Sequence, residues 1–289
     1  PDVVVSFLTN VNVNVLIATM GLRVPVVVSE RTHPAYSQSA GRLLRMLRRK
    51  LYSQAAAVVM QTQAGVPALK AQVPGVRDVT VIPNPLPDEL LTRSAPASCT
   101  TQAKGYEAVA MGRLVPAKQF DMLIDTFATL AAEFPQWRLT IWGDGPQREA
   151  LQAQIKTLGL ERRVRLAGRT PQPWDALSSA DMFVMTSRVE GFPNVLLEAM
   201  ALGLPCIALD CPSGPAELSR GGRDAVLVPM ENATALQDAM HNVMADEALR
   251  WTLGMRAQAS VRRRYGLPIV LKQWDDVFRR VAHVPRANH

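Results

Sequence analysis

Short apolar runs alternate with longer amphipathic stretches from one end of the sequence to the other. Runs such as Val26-Val27-Val28 lack the polar alternation of a half-exposed strand, so they predict parallel strands buried on both faces. The amphipathic stretches between the runs are long enough for crossover helices. The alternation therefore predicts an α/β fold built from βα units.

The predicted strands fall into two series, which agrees with a length of 289 residues at roughly 150 residues per domain. The first series has strands near 3–8, 26–29, 56–60 and 79–82, with one helix near 41–54. The second has strands near 106–111, 137–142, 163–167, 182–186, 205–209 and 225–228, with helices near 119–133, 146–158, 193–203, 214–220 and 232–264. Six strands with crossover helices predict a complete doubly wound sheet.

Two Pro-rich or Ser-rich stretches, at 83–87 and 94–98, predict a linker between the series. We expect a first domain with its linker at 1–97, a second domain at 98–267, and a final helix at 268–289 that packs back on the first domain. The sequence enters a strand directly after Pro1, with no leading helix. We therefore expect a fragment whose first domain is incomplete.

Composition excludes several classes of protein. No apolar run reaches the ~18 residues of a spanning helix. Cys99, Cys206 and Cys211 are odd in number and lack metal-ligand spacing, which argues against a disulfide framework or a zinc site and suits a reducing cytosol. The net charge of +7 indicates that some face meets anions, whether nucleic acid, phosphorylated small molecules or acidic lipid.

A first candidate motif follows the predicted strand 106–111 and contains Gly112, Arg113 and Lys118. Ligands of open α/β sheets bind beyond the carboxyl ends of strands, so two cations there would suit a diphosphate. A pair of solvated basic loop residues explains the same spacing.

A second candidate motif, Gly143-Asp144-Gly145-Pro146, also joins a strand to a helix. Its glycines would allow a ligand to approach the backbone, and Pro146 suits a first helical turn. The motif lacks the third glycine of the dinucleotide fingerprint, so a plain turn is an equal alternative.

The third candidate motif runs from Glu190 to Met200 and is the most informative. Pro193 reads as a first helical residue, which leaves Glu190 in the loop and Glu198 one to two turns into the helix. Backbone amides at the helix start would point at a phosphate, and a carboxylate suits vicinal diols. The alternative is that both glutamates are surface charge, but the apolar neighbours of Glu198 favour a buried carboxylate with a partner.

The stretches "GRLVPAKQFDMLI", "LTIWGDGPQREAL", "VRLAGRT", "SRVEGFPNVLLEAMALGLPCIA" and "SGPAEL" together resemble the C-terminal half of retaining GT-B glycosyltransferases, the large family that contains sucrose synthase. The resemblance implies that Arg113 and Lys118 bind the donor diphosphate, Glu190 contacts the transferred hexose and Glu198 holds the ribose. Catalysis is then assigned to Glu190, Arg113 and Lys118. The full implied donor set is Gly112, Arg113, Lys118, Gly143, Gly145, Arg169, Thr170, Glu190, Gly191, Phe192, Pro193, Asn194, Val195, Leu196 and Glu198.

The same resemblance implies a reaction. A hexose or N-acetylhexosamine would pass from a nucleotide diphosphate sugar, with UDP favoured, to a lipid-linked or polysaccharide acceptor in envelope glycan synthesis. Preorganised cations would stabilise the leaving diphosphate, so no metal and no cofactor beyond the nucleotide-sugar co-substrate are expected. The absence of an Asp-x-Asp motif from the sequence agrees with this expectation.

The first domain resembles the family less completely, in "PDVVVSF" and "VPVVVSERTHP". Many relatives carry a histidine near the second of these strands. His33 is out of that register, so Glu30, Arg31 or His33 is expected on the acceptor side. A solvent-facing loop histidine is the alternative for His33.

A basic amphipathic stretch carries Arg42, Arg45, Arg48, Arg49 and Lys50. It could lie on anionic lipid, which predicts a cytoplasmic protein with peripheral contact at the inner membrane. A helix packed on the sheet with its cations in water is the alternative.

Two rival functions remain at this stage. A nucleotide-sugar epimerase of GT-B-like fold would use the same donor motifs, but no obvious acid-base set faces them. A nucleic-acid-binding protein would explain the basic charge, but the cations are not interleaved with aromatics and no binding-module signature occurs. We therefore expect no nucleic-acid partner.

Overall fold

The computed structural model describes residues 1–36, 41–93 and 105–282. The strands in these residues are β1 Val4–Phe7, β2 Val26–Ser29, β3 Ala57–Met60, β4 Val79–Val81, β5 Tyr106–Met111, β6 Trp137–Trp142, β7 Val164–Gly168, β8 Met182–Met185, β9 Cys206–Leu209 and β10 Val226–Val228. The α-helices are α1 Thr9–Ala18, α2 Arg42–Leu51, α3 Gly65–Gln72, α4 Asp88–Thr92, α5 Phe120–Leu130, α6 Arg148–Thr157, α7 Pro173–Ser178, α8 Asn194–Ala201, α9 Pro215–Leu218, α10 Ala233–Ala245, α11 Glu247–Tyr265 and α12 Leu267–Ala282.

Contacts divide the chain into two compact units. Unit 1 consists of Pro1–Pro85, Glu190–Phe192 and the stretch that begins at Leu267. Unit 2 consists of Leu86–Val189 and Pro193–Gly266. The boundary expected near residue 97 falls in 94–104, outside the described residues.

Unit 2 contains a six-stranded sheet in the order β10-β9-β8-β5-β6-β7. Every pairing between these strands is parallel. The winding direction reverses between β5 and β8, because right-handed crossovers carry the chain outward on both sides of β5. One face is sealed by helix residues such as Leu123, Phe127 and Met240 against Trp137 and Leu139. The predicted doubly wound α/β architecture is confirmed.

Unit 1 contains a four-stranded parallel sheet in the order β1-β2-β3-β4. The strand order does not reverse within the described residues, so the helices between successive strands lie on one face of the sheet. On that face, Val13 of α1 and Leu69 of α3 belong to one hydrophobic core. The other face holds a separate core in which Val270, Val277 and Val281 of α12 pack on the strands. The last described helix therefore packs against the sheet formed by the beginning of the chain.

The structure corrects several helices. An unpredicted helix, α1, follows β1 closely. Its sequence alternates Asn with Val, and the buried Asn12 is stabilised by hydrogen bonds with the side chains of Ser6 and Tyr52. Helices α3, α4 and α7 were also not predicted. The single helix expected at 232–264 is two helices, because the Asp246 side chain caps α11 by accepting from the Leu249 amide at 2.9 Å.

No helix among the described residues is both long enough and apolar enough to cross a bilayer. Cys206 and Cys211 are buried and form no disulfide in the described part of the chain. Cys99 lies outside that part.

Candidate functional site

The candidate donor motifs of unit 2 share one edge of its sheet. Gly112, Gly143 and Arg169 follow β5, β6 and β7, and these three strands are direct neighbours. The loop that leads to α8 follows β8, which pairs with β5 on the other side. Because the strands are parallel, their carboxyl ends meet at this edge, where ligands of open α/β sheets bind.

The loops after β5 and β6 pack backbone against backbone. An ideal Cβ at Gly143 would lie 1.8 Å from the Gly112 carbonyl oxygen, and φ at Gly143 is +136°. The Leu114 amide donates to the Asp144 carbonyl at 3.0 Å. Position 143 therefore requires glycine because its backbone lies against the neighbouring loop after β5. This contact between the two loops fixes the position of Arg113.

Lys118 lies at the end of a short 3₁₀ turn, Pro116–Lys118. Its Cε is 3.3 Å from the position of a Cβ on Gly112, so the half-buried side chain folds back over the strand end. Buried Thr186, at the end of β8, donates to the Lys118 carbonyl at 2.7 Å. Arg113 is exposed. Sequence reasoning missed Thr186, although its place directly after a buried strand was a signal.

Arg169 and Thr170 follow the end of β7, as expected. Arg169 is exposed, and the Thr170 hydroxyl accepts from the Gln172 amide at 3.0 Å. That bond shapes the turn into α7, which begins at Pro173.

Helix α8 begins at Asn194, one residue later than predicted, because Pro193 is the N-cap residue. Asn194 is exposed, Val195 is half-buried and Leu196 is buried. Gly214, with φ of +101°, makes room for the Pro193 ring, whose Cδ would lie 2.2 Å from a Cβ at that position. The amides of the first helical turn are oriented along the helix axis toward its N-terminus, a geometry that favours an anion there.

Glu190, Gly191 and Phe192 group by their contacts with unit 1 rather than with α8. A Cβ on Gly191 would lie 2.5 Å from the Arg31 carbonyl oxygen and 3.1 Å from Thr32 Cα. Gly191 is therefore required where the chain passes the loop after β2. Phe192 is buried, and Glu190 is half-buried.

Glu198 is half-buried in α8, between fully buried Leu197 and Ala199. Desolvation raises the pKa of its carboxyl, and the nearby Trp174 side chain acts in the opposite direction. The expectation of a partner for the Glu198 carboxylate stays a prediction. Sequence reasoning missed Trp174, which lies in the unpredicted helix α7; Pro173 followed by an acidic residue was the available signal.

Glu30 is held inside unit 1 instead of facing an acceptor. Its side chain is 1% exposed and accepts from Thr9 Oγ1 at 2.8 Å and from the Tyr52 hydroxyl. Arg48 Nη1 lies 3.9 Å from Glu30 Oε1. Burial, followed by the charge of Glu30, raises the pKa of Tyr52, which keeps that hydroxyl protonated as a donor.

His33 is buried, which excludes the solvent-facing alternative. Its Nδ1 accepts from the Ala35 amide at 3.3 Å, and the ring also forms a hydrogen bond with the Ala64 backbone. Burial lowers the pKa of His33, so the ring is neutral at pH 7.

Arg31 is half-buried and donates to Asn84, while its guanidinium lies 4.5 Å from the centre of the Phe7 ring. Of the three expected acceptor-side residues, Arg31 is the one whose side chain is not deeply buried.

Arg48 corrects the predicted basic surface. It is 1% exposed and bonded to Gln72, so it belongs to the interior of unit 1. The remaining cations, Arg42, Arg45, Arg49 and Lys50, are exposed on α2. Over the ranges that the structure describes, no group of three or more His, Cys, Asp or Glu side chains could hold a metal ion.

A separate groove of about 970 Å³ lies in unit 2 beside β5, β6 and β7. Its lining includes Arg138, Arg165, Trp142 and Asp181, and none of the predicted donor residues lines it. The Arg165 guanidinium lies 5.6 Å from the centre of the Trp142 ring.

Residues 96–260 match the family described as Glycosyl transferases group 1, and residues 1–85 match a Glycosyl transferase 4-like domain. The chain belongs to the glycosyl transferases group 1 family. The glycosyltransferase family inferred from the motifs is confirmed, while the retaining mode stays a prediction.

Several curated relatives are named for the biosynthesis of bacterial polysaccharides. The chain is 32% identical over 174 residues to the amylovoran biosynthesis glycosyltransferase AmsD of Erwinia amylovora, covering 60% of this chain and 48% of that protein. It is 32% identical over 210 residues to the lipopolysaccharide core biosynthesis glycosyltransferase LpsD of Rhizobium meliloti, covering 71% of this chain and 58% of that protein. An exopolysaccharide phosphotransferase of Streptomyces coelicolor is 37% identical over 69% of this chain, but only 20% of that protein is covered.

Solved glycosyltransferase structures share the fold. Anabaena HepE in complex with UDP and glucose superposes with a TM-score of 0.84 at 23% identity, covering 96% of this chain and 78% of that one. TarM superposes with a TM-score of 0.83 at 20% identity, covering 96% of this chain and 54% of that one. The chain thus spans from a fifth to about three-fifths of these curated relatives' lengths, and its two parallel sheets are those of the GT-B architecture.

Proposed function

We propose that this protein transfers a hexose or N-acetylhexosamine from a nucleotide diphosphate sugar to a lipid-linked or polysaccharide acceptor in envelope glycan synthesis, with retention of configuration. One observation carries the proposal: Arg113, Lys118, the start of α8 and Glu198 all belong to the carboxyl edge of one complete parallel sheet. The polysaccharide products named for AmsD and LpsD support the acceptor class. The complex of HepE with UDP and glucose supports UDP as the nucleotide.

The proposed donor site divides the work among its residues. Lys118 and Arg113 bind the diphosphate, and the N-terminus of α8 adds the partial positive charge of its amides. Negative charge grows on the diphosphate as the glycosidic bond breaks, so these groups stabilise the transition state more than the ground state. Glu198 accepts hydrogen bonds from the ribose hydroxyls, and Glu190 contacts the hexose. The remaining expected donor residues, including Gly112, Gly145, Arg169 and Thr170, shape the pocket. No step in this scheme uses a metal or a further cofactor.

The experiment that tests the donor class is a thermal-shift panel of UDP-, GDP-, ADP- and dTDP-sugars. A ligand at about 100 times its dissociation constant stabilises the folded state by ~2.7 kcal/mol. We expect stabilisation by UDP and UDP-sugars. Stabilisation by none of these nucleotides would contradict the proposal, and a preference for another base would revise the nucleotide alone.

We also propose peripheral contact between α2 and an anionic membrane on the cytoplasmic side. Leu43 and Met46 are 65% and 50% exposed on the helix that carries the exposed Arg42, Arg45 and Arg49. Apolar side chains among cations suit insertion at an anionic interface. Co-sedimentation with phosphatidylglycerol vesicles, but not with phosphatidylcholine vesicles, is expected. The triple variant Arg42→Glu, Arg45→Glu, Arg49→Glu should remain in the supernatant, and its unchanged sedimentation would contradict the contact.

A further inference from the structure

Two hydrogen bonds tie the loop that carries Lys118 to the loop that follows β8. The Thr186 hydroxyl donates to the Lys118 carbonyl oxygen at 2.7 Å, and the Arg188 amide donates to the Ala117 carbonyl oxygen at 2.9 Å. Because β8 pairs with β5 in a parallel sheet, the two loops leave neighbouring strands at the same edge. The backbone around Lys118 is therefore held from β8 as well as from β5.

Thr186 is placed for this contact by the strand that precedes it. It directly follows Met185, the last residue of β8, and it is fully buried. A buried hydroxyl requires a hydrogen-bond partner, and the Lys118 carbonyl supplies one. A valine would fill the same space but could not donate, so this position distinguishes a donor from an apolar side chain of the same shape.

The bond acts on the peptide that joins Lys118 to Gln119. Gln119 has a φ of +49°, in the left-handed region, where the short turn that ends at Lys118 gives way to α5. A residue other than glycine seldom adopts this conformation, so contacts on the adjacent peptide have to hold it. The Lys118 side chain is held as well, because its Cε lies 3.3 Å from the position of a Cβ on Gly112.

We propose that Thr186 is a positioning residue whose hydroxyl holds the Lys118 backbone, so that the Lys118 ammonium meets the diphosphate of the donor. The inference rests on the proposed function, because that function makes Lys118 a diphosphate ligand. Thr186 acts through Lys118 and does not contact the nucleotide. A fixed backbone favours binding because a long lysine side chain loses rotamer freedom on its anion, and preorganisation reduces what binding has to order.

Calorimetry with UDP and with uridine separates this role from a general loss of stability. Uridine lacks the phosphates, so the ratio of the two affinities reports on the diphosphate contacts. We expect Thr186→Val to lower this ratio by about three- to tenfold, the effect of one lost hydrogen bond, and Thr186→Ser to restore it, since serine keeps the donor. The matched control is Thr126→Val, which should leave the ratio unchanged, because the buried Thr126 hydroxyl donates to the Met122 carbonyl at 2.8 Å within α5.

A double-mutant cycle tests whether Thr186 acts through Lys118. In a Lys118→Ala background, Thr186→Val should change UDP affinity by less than about twofold, because the ammonium that it positions is absent. An equal loss in both backgrounds, a loss that Thr186→Ser does not restore, or an unchanged ratio in Thr186→Val would overturn the inference.

A second variant covers the case in which Thr186→Val does not fold. Thr186→Cys keeps nearly the same volume with a weaker donor, and we expect it to lower the ratio of UDP to uridine affinity. A wild-type ratio in Thr186→Cys would then overturn the inference. Failure of the wild-type chain to bind UDP would instead overturn the proposed function.

Discussion

Unit 1 surrounds its buried carboxylate, Glu30, with the hydroxyls of Thr9 and Tyr52 and the guanidinium of Arg48, whereas Glu198 of unit 2 is half-buried and desolvation raises the pKa of its carboxyl. The two carboxylates lie in comparable positions. Glu30 directly follows the buried strand β2, and Glu198 lies in α8, the helix that follows the buried strand β8. Glu30 is enclosed by its own unit at 1% exposure, whereas Glu198 is only half-buried.

The difference shows how burial and function combine in this molecule. A deeply buried carboxylate that accepts hydrogen bonds from its own unit is closed off from a ligand by the surrounding side chains. A partly desolvated carboxylate with a raised pKa and spare lone pairs is costly unless a ligand completes its hydrogen bonds. We therefore assign Glu30 to the structure of unit 1, whereas the place of Glu198 in a donor site stays a proposal.

The largest expected effect is on the stability of unit 1. Glu30→Ala removes the shared acceptor of Thr9 and Tyr52 and leaves Arg48 buried without its carboxylate. Breaking a buried ion pair in this way costs about 3–5 kcal/mol. Hydrogen exchange of the β2 and β3 amides should accelerate accordingly, and the exposed control Asp2→Ala should leave it unchanged. Unaltered exchange in Glu30→Ala would show that the network contributes little to stability.

The next effect is on nucleotide affinity in unit 2. A charged hydrogen bond to phosphate is worth ~1.5–3 kcal/mol, so Lys118→Ala should weaken UDP binding by about ten- to a hundredfold. Lys156→Ala is the matched control, because Lys156 is exposed on α6 of the same unit. Calorimetry that gives Lys118→Ala and the wild type the same affinity would remove Lys118 from the site.

Two glutamine variants separate the roles of the donor carboxylates. Glu198→Gln should weaken UDP and the UDP-hexose alike, by about tenfold, because both ligands carry the ribose. Glu190→Gln should leave UDP affinity unchanged and weaken only the UDP-hexose. Competition calorimetry measures both ligands on both variants. Equal losses of UDP affinity in the two variants would contradict this division.

The smallest expected effect is the dependence of stability on pH, to which one histidine in each unit should contribute with opposite sign. The pKa of His33 is lowered by burial, so its contribution to stability is present above the unfolded pKa of about 6.5 and is lost as the pH falls below it. The pKa of His241 in unit 2 is raised by its hydrogen bond to Glu133, so its contribution is present below about pH 6.5 and is lost as the pH rises.

Urea unfolding at pH 7.5 and pH 5.5, followed separately in each unit by hydrogen exchange, measures the two contributions. His33→Gln should reduce the acid sensitivity of unit 1, and His241→Gln should remove an acid-favoured stabilisation of unit 2. A pH response of unit 1 that is identical in His33→Gln and the wild type would show that another group is responsible.

Much of unit 2 could be predicted from the sequence, because parallel strands that are buried on both faces have continuous apolar sequences. The six strands and the start of α8 were placed within about one residue, since apolar runs and the Pro at position 193 are local signals. The packing of Gly143 on the Gly112 carbonyl could not be predicted, because it depends on which two loops become neighbours.

Unit 1 was predicted less completely for a different physical reason. In α1 the alternation of Val with Asn mimics a strand, and only tertiary contacts of Asn12 with Ser6 and Tyr52 explain a buried Asn in a helix. The burial of Arg48 likewise depends on Glu30, 18 positions away in sequence and adjacent only in the fold.

Hydrogen–deuterium exchange of the 289-residue chain with and without UDP, resolved by peptide, tests directly whether UDP binds at the carboxyl edge of the unit 2 sheet. We expect UDP to protect residues 112–118 and 193–198, along the carboxyl edge of the unit 2 sheet, and to give no comparable protection around Arg138 and Arg165. Protection confined to the groove beside β6 and β7, or no protection at 112–118 and 193–198 at saturating UDP, would contradict this expectation.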